Sequence, residues 1–193
     1  MRPRLAAICV AIALAGCARD RALVAHHFNA SAEGWLVAGD TGAAAPAFEP
    51  SGGNPGGFIS NGDEAVGETW YFQAPQSVLA QLPSAEYGVL SYSLQQSSTD
   101  AGFVEDDIVI VGPAGRLSYR FEHAPGTAWT DFSVRLSASA GWQWNWNERA
   151  TQDQIRRVLL EPTRLEIRGD YRTGEDVGGL DEFVLTAGPS ADE

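Results

Sequence analysis

The run Val89-Leu90-Ser91-Tyr92-Ser93-Leu94 (VLSYSL) decides the fold class, because Leu90, Tyr92 and Leu94 alternate with Ser91 and Ser93. A period of two marks a strand with one face buried and the other in water. The same alternation returns downstream, in Leu117, Tyr119 and Phe121 against Arg116, Ser118 and Arg120, and in Phe132, Val134 and Leu136 against Asp131, Ser133 and Arg135. Leu165 and Ile167 alternate with Arg164, Glu166 and Arg168. Ile108 to Val111 is apolar at every position, as expected for a strand in the middle of a sheet.

Gly, Pro, Asn and Asp clusters punctuate these runs, so many short strands joined by turns predict an all-β chain: an antiparallel β-sandwich of jelly-roll type. One short helix is expected. Thr151-Gln152-Asp153-Gln154 has the form of a capping box, Ile155, Val158 and Leu159 follow at helical spacing, and Pro162 limits the length.

At the start of the chain, Arg2 and Arg4 precede the short uncharged run Leu5 to Leu14, the arrangement of an export signal. That run is too short to span a bilayer, which takes about 20 apolar residues. Leu14-Ala15-Gly16-Cys17 follows directly and resembles the lipobox of bacterial lipoproteins, in which the cysteine is acylated and becomes the mature N-terminus. The expected organisation is a signal peptide over 1–16, a lipidated tether over 17–25, one domain over 26–187 and an acidic tail over 188–193. An ordinary secretory signal, with Cys17 an incidental thiol, is the plainer reading of the same residues.

Cys9 and Cys17 are the only cysteines, so a mature domain whose Cys17 carries lipid has no thiol left for a disulfide or a zinc site. The formal charge of −12 falls to −14 once Arg2 and Arg4 are removed. Nucleic-acid binding is therefore not expected, since phosphate contacts need a basic patch.

A series of landmarks runs along the chain, beginning with Phe28, Gly34 and Trp35, the Gly52-Gly53-Asn54-Pro55-Gly56-Gly57-Phe58-Ile59 run, and Trp70-Tyr71-Phe72-Gln73-Ala74-Pro75. They continue with Tyr87 to Leu94, with Trp129, Val134 and Leu136, with Leu165 to Tyr171, and with Leu180-Asp181-Glu182-Phe183. In order and spacing these landmarks resemble the laminin B (laminin IV) domain family. The resemblance implies a galactose-binding-like or carbohydrate-binding-module-like sandwich and implies no reaction. Glu182 departs from the Asn the family often carries there.

Candidate functional residues are few. Trp142-Gln143-Trp144-Asn145-Trp146-Asn147, if extended, places three indoles on one face and three amides on the other. Trp144, Trp146 and Asn145 could then form a sugar-stacking platform or an interfacial anchor, or the row could pack under the helix as core. Asn29, Glu33 and Asp181 are the oxygen donors available for a structural calcium ion, although turn and backbone roles explain them as well. His26 and His27 point to opposite faces if extended and do not read as a ligand pair. Gly52 to Gly57 reads as a turn or a close strand crossing.

No nucleophile elbow or zinc-protease motif is present, and only His123 lies well inside the domain. Glu105, Asp106 and Asp107 sit too close in sequence to face one another across a sugar. The expected function is thus a non-enzymatic, membrane-anchored binding or adhesion module of the cell envelope, on the outer membrane. Its partner would be a glycan or an envelope or extracellular protein. A structural or assembly lipoprotein that binds no sugar is the alternative, and a glycan-acting hydrolase the third reading.

Overall fold

The structure is a computed structural model and describes residues 21–39, 43–62, 69–146 and 148–189. Cys17, the expected signal peptide and the last four residues of the tail lie outside that range, as does Asn147. Among the described residues thirteen strands form two antiparallel sheets. In the first, β3 (Ala47–Gly53), β4 (Gly56–Gly62), β13 (Val177–Thr186), β6 (Val89–Gln96) and β9 (Thr130–Arg135) lie side by side, and β1 (Ala22–His26) also pairs with β13. The second runs β11 (Glu148–Arg149), β10 (Gln143–Trp144), β8 (Gly115–Tyr119), β7 (Ile108–Gly112), β12 (Arg164–Arg168), β5 (Tyr71–Gln73) and β2 (Leu36–Ala38).

The alternating runs put their apolar members between the sheets. Leu90, Tyr92 and Leu94 of β6, Phe132 and Val134 of β9, and Leu165 and Ile167 of β12 are all buried in one cluster with Trp35, Phe72, Trp142 and Phe183. The uniformly apolar β7 lies inside the second sheet, between β8 and β12, with Ile108, Val109 and Ile110 buried. The expected β-sandwich is the observed architecture.

The helix α2 (Gln152–Leu160) forms as its sequence requires. Thr151 Oγ1 accepts the N–H of Gln154, and Gln154 Oε1 accepts the N–H of Thr151, which satisfies donors at both positions. Ile155, Val158 and Leu159 face the core. The helix crosses one end of the sandwich. At its start Glu86, just before β6, accepts from Gln152 Nε2 (2.8 Å) and Arg156 Nε (2.9 Å). Near its close the carbonyls of Val158 and Glu161 lie against Gly112 at the end of β7, where a Cβ would sit 2.6 Å from the Glu161 oxygen.

Two features differ from the sequence expectation. A second helix, the single turn α1 (Gln76–Leu79), follows Pro75 and is continued by a 3-10 turn at Leu82–Ser84, because Val78, Leu79 and Leu82 all reach the core. Ala22 to Ala25, assigned above to the tether, are paired in β1 with Val184 to Thr186. The sheet therefore starts nearer to Cys17 than the sequence suggested.

Candidate functional site

The outer face of the first sheet is polar at its centre because the alternation that buries Leu90, Tyr92, Phe132 and Val134 turns Ser91, Ser93, Asp131 and Ser133 outward. Ser93 stands opposite Asp131 and Ser91 opposite Ser133. Ser93 Oγ donates to Asp131 Oδ1 at 2.6 Å. These short side chains floor a furrow of about 420 Å³, with Asn54 and Glu182 among its other lining groups and Val184 as its apolar patch.

Two backbone irregularities raise the wall. The β6–β13 register shifts between Asp181 and Val184, and Glu182 within that bulge has a φ of 51°, so its side chain emerges beside the furrow. The β3–β4 hairpin then bends over the sheet. Its tip is clamped by Asp181, which is fully buried and accepts the N–H of Asn54 (2.5 Å) on one oxygen and that of Glu182 (2.7 Å) on the other. Burial raises the Asp181 carboxyl above its ordinary range, and the two N–H groups partly oppose the shift.

Glycine makes the close approach possible. A Cβ on Gly53 would lie 2.3 Å from the Gly57 carbonyl and 2.6 Å from Asp181 Oδ2. Gly52 and Gly56 take positive φ, as the turn reading of this run requires. The tip delivers Asn54, whose amide donates to Ser93 Oγ (3.1 Å) and Asp131 Oδ1 (3.2 Å). Trp129 walls the same hairpin from outside, its indole N–H donating to the Gly52 carbonyl and its ring set edge-on to Phe58.

The charged groups lining the furrow, Asp131 and Glu182, are both acidic. Glu182 meets the ring of His27 at 2.9 Å. A face of hydroxyls, an amide and carboxylates can exchange hydrogen bonds with a polyhydroxylated ligand and disfavours an anionic one.

The tryptophan row does not form one exposed face. Trp142 is buried, with its indole N–H donating to the Arg135 carbonyl, and Trp144 packs half-buried against the core rim, over Gly115. Asn145 and Trp146 adopt positive φ (40° and 88°), which ends the extended run after two residues and turns Trp146 out, 65% exposed and stacked on Arg116 at 4.2 Å. Asn145 Oδ1 accepts the Arg116 N–H. Of the alternatives the sequence left open, core describes Trp142 and the rim of the core Trp144, while Trp146 stands apart.

The donors offered for calcium are separately engaged. Glu33 accepts the Phe28 N–H on Oε1 and faces His26 Nδ1 with Oε2, Asn29 Oδ1 lies against Gly56, and Asp181 serves the hairpin. Among the described residues no three His, Cys, Asp or Glu side chains converge as a metal cluster. His26, whose pKa is lowered by burial, accepts the indole N–H of Trp35 and is a core residue.

A buried ionic group that the sequence reading passed over lies at the far end of the sandwich, opposite α2. Asp107, raised by burial, accepts from Tyr171 Oη (2.9 Å) and the Phe121 N–H (2.7 Å). Arg168 is held between the Phe103 and Tyr171 rings and donates to the carbonyls of Phe103 and Asp170. Asp106 is bridged by Arg116 and Arg120. These carboxylates are structural partners of arginines, which the alternation of Arg116, Arg120 and Arg168 with apolar residues already hinted at.

A family model described as Laminin B (Domain IV) matches residues 71–193. Among solved structures, the L4b domain of human laminin alpha-2 is similar with a TM-score of 0.65 at 10% identity, covering 86% of this chain and 98% of that one. The family 11 carbohydrate-binding module of the cellulosomal cellulase Lic26A-Cel5E of Clostridium thermocellum is similar with a TM-score of 0.54 at 10% identity, covering 91% and 98%. At such identities the likeness is one of fold. No curated protein matches the chain significantly.

Proposed function

The chain belongs to the laminin B (domain IV) family of non-enzymatic modules, and from that premise we propose that it is a binding module that takes a glycan along the furrow of its first sheet. The observation that carries this reading is the furrow itself. Ser91, Ser93, Ser133 and Asp131 are small or polar where a face meant to be covered by protein would be apolar, and the β13 bulge and the hairpin tip wall it without filling it. One fold relative is by name a carbohydrate-binding module, which supports sugar recognition at the level of architecture. The ligand class that suits two carboxylates without a basic lining group is a neutral or amino glycan; uronates and sialylated chains are disfavoured.

In this proposal the module is a lipoprotein of the cell envelope, outer membrane by preference, held by lipid on Cys17. Among the described residues no helix is long and apolar enough to cross a membrane, so attachment would come from the acylated cysteine. The lipobox carries that part, and loss of the protein from the membrane fraction in Cys17→Ser tests it.

A glycan array followed by titration of the best ligand tests the furrow. Ser133 is exposed on the furrow floor, so Ser133→Trp fills the space without touching the core. Affinity is expected to fall at least about tenfold, equivalent to about 1.4 kcal/mol. Trp146→Ala is expected to leave it unchanged. Undiminished binding by Ser133→Trp would move the site off this face.

A further inference from the structure

We infer that the end of the sandwich crossed by α2 is a bilayer-docking surface, with Tyr87 and Leu160 seated among the headgroups of an anionic leaflet and Arg135, Arg156 and Arg157 directed at lipid phosphates. The inference rests on the proposed lipid at Cys17 and adds to it an orientation and a second attachment.

The first argument is where the chain joins the fold. The Arg21 carbonyl accepts the N–H of Ala187, and Ala22 pairs with Thr186, so β1 begins at the end where β6 starts and β9 and β13 finish. Four residues separate Cys17 from Ala22, so the five steps between them reach at most about 17 Å when fully extended. Strand β13 alone, at ten residues, measures about 33 Å. A lipid on Cys17 therefore brings this end to the headgroups, and the opposite end is out of its reach.

The second argument is what that end displays. Leu160 is 56% and Tyr87 41% exposed. Leu160 closes α2 beside Gly112, and Tyr87 adopts φ 63° in the turn before β6. Tyrosine suits the boundary between hydrocarbon and water, since it has an apolar body and a polar tip.

The third is charge. The sequence has no Arg or Lys from Ala22 to Gly115, and the remaining arginines of the domain fall between Arg116 and Arg172. Arg156 and Arg157 stand on the outer side of α2, 47% and 66% exposed, in surface pairs with Glu86 and Asp153. Such pairs are weak enough to exchange for phosphate. Arg135 donates to the Tyr87 carbonyl and so stands at the same rim. The opposite end presents Asp100, paired with Arg172, and Glu175, with Val177 between strand and solvent.

The test uses the full lipidated protein, whose thioether-blocked Cys17 leaves no other thiol, carrying Tyr87→Cys or Leu160→Cys, with Val177→Cys for the far end. Each is reacted with a water-soluble maleimide in vesicles of phosphatidylcholine with phosphatidylglycerol and in vesicles of phosphatidylcholine alone. At 87 and 160 the reaction is expected to slow roughly tenfold on the anionic vesicles, in line with burial at the interface, and at 177 to stay unchanged. Equal rates at all three positions, with mass spectrometry showing the lipid in place, would overturn the orientation and leave the anchor standing. An N-terminal peptide found without lipid would overturn the anchor and this inference together. Equal slowing on both vesicle types would remove the part assigned to arginine.

Discussion

Removing the clamp at Asp181 tests how the furrow is built. The carboxylate is fully buried and holds the N–H groups of Asn54 at 2.5 Å and Glu182 at 2.7 Å. In Asp181→Ala both donors lose their acceptor. Leaving a buried donor unsatisfied costs about 1–3 kcal/mol. Two donors set an upper bound near 6 kcal/mol, and removing a costly buried charge, together with outward relaxation of the tip, offsets part of that. A net loss of about 3 kcal/mol is expected, which lowers the melting temperature by about 6–12 °C in a domain of this size.

Urea unfolding by tryptophan fluorescence gives the free energy, and the same variant should lose glycan affinity because Asn54 no longer reaches Ser93 and Asp131. Asp181→Asn keeps one acceptor and is expected to fall between the two proteins. A stability of Asp181→Ala within about 0.5 kcal/mol of the parent, the range of an ordinary surface change, would refute the clamp.

The three tryptophans of the 142–146 segment should separate in thermal melts. Trp142→Ala is expected to cost about 3–5 kcal/mol as a cavity in the core, Trp144→Ala less, and Trp146→Ala no more than about 1 kcal/mol, the value of its stacking on Arg116; a costly Trp146→Ala would contradict its exposure. Glu166 is raised by burial, which outweighs the neighbouring Arg164 and Arg116, so its folded form binds a proton more tightly than the unfolded chain. Its favourable contribution is therefore complete below the ordinary glutamate range and is lost as pH rises through the raised value. Glu166→Gln should accordingly gain stability relative to the parent at pH 8 and lose that advantage toward pH 4, and a difference in unfolding free energy that stays constant across this window would show that burial is not the governing cause.

Much of this protein was legible in its sequence because the decisive signals are local. Alternation in β6, β8, β9 and β12 set which side chains face the core, since the pleat allows no other choice once one face is apolar. Thr151 and Gln154 announced α2 because both partners of the cap lie within one turn. The landmarks from Phe28 to Phe183 indicated the family for the same reason, each being a short pattern at a fixed place. Other features depend on where the chain returns in space. Asn54, Ser93, Asp131 and Glu182 come from four separate segments, and only the β13 bulge and the folded hairpin tip bring them to one furrow. The tryptophan row looked continuous because period two was assumed through residue 146, whereas positive φ at Asn145 and Trp146 breaks it where the chain turns from β10 back to its antiparallel partner β11. Periodicity reports which side of a strand a residue occupies; it carries no information about where a strand bends, which strands become neighbours, or which distant polar groups then meet.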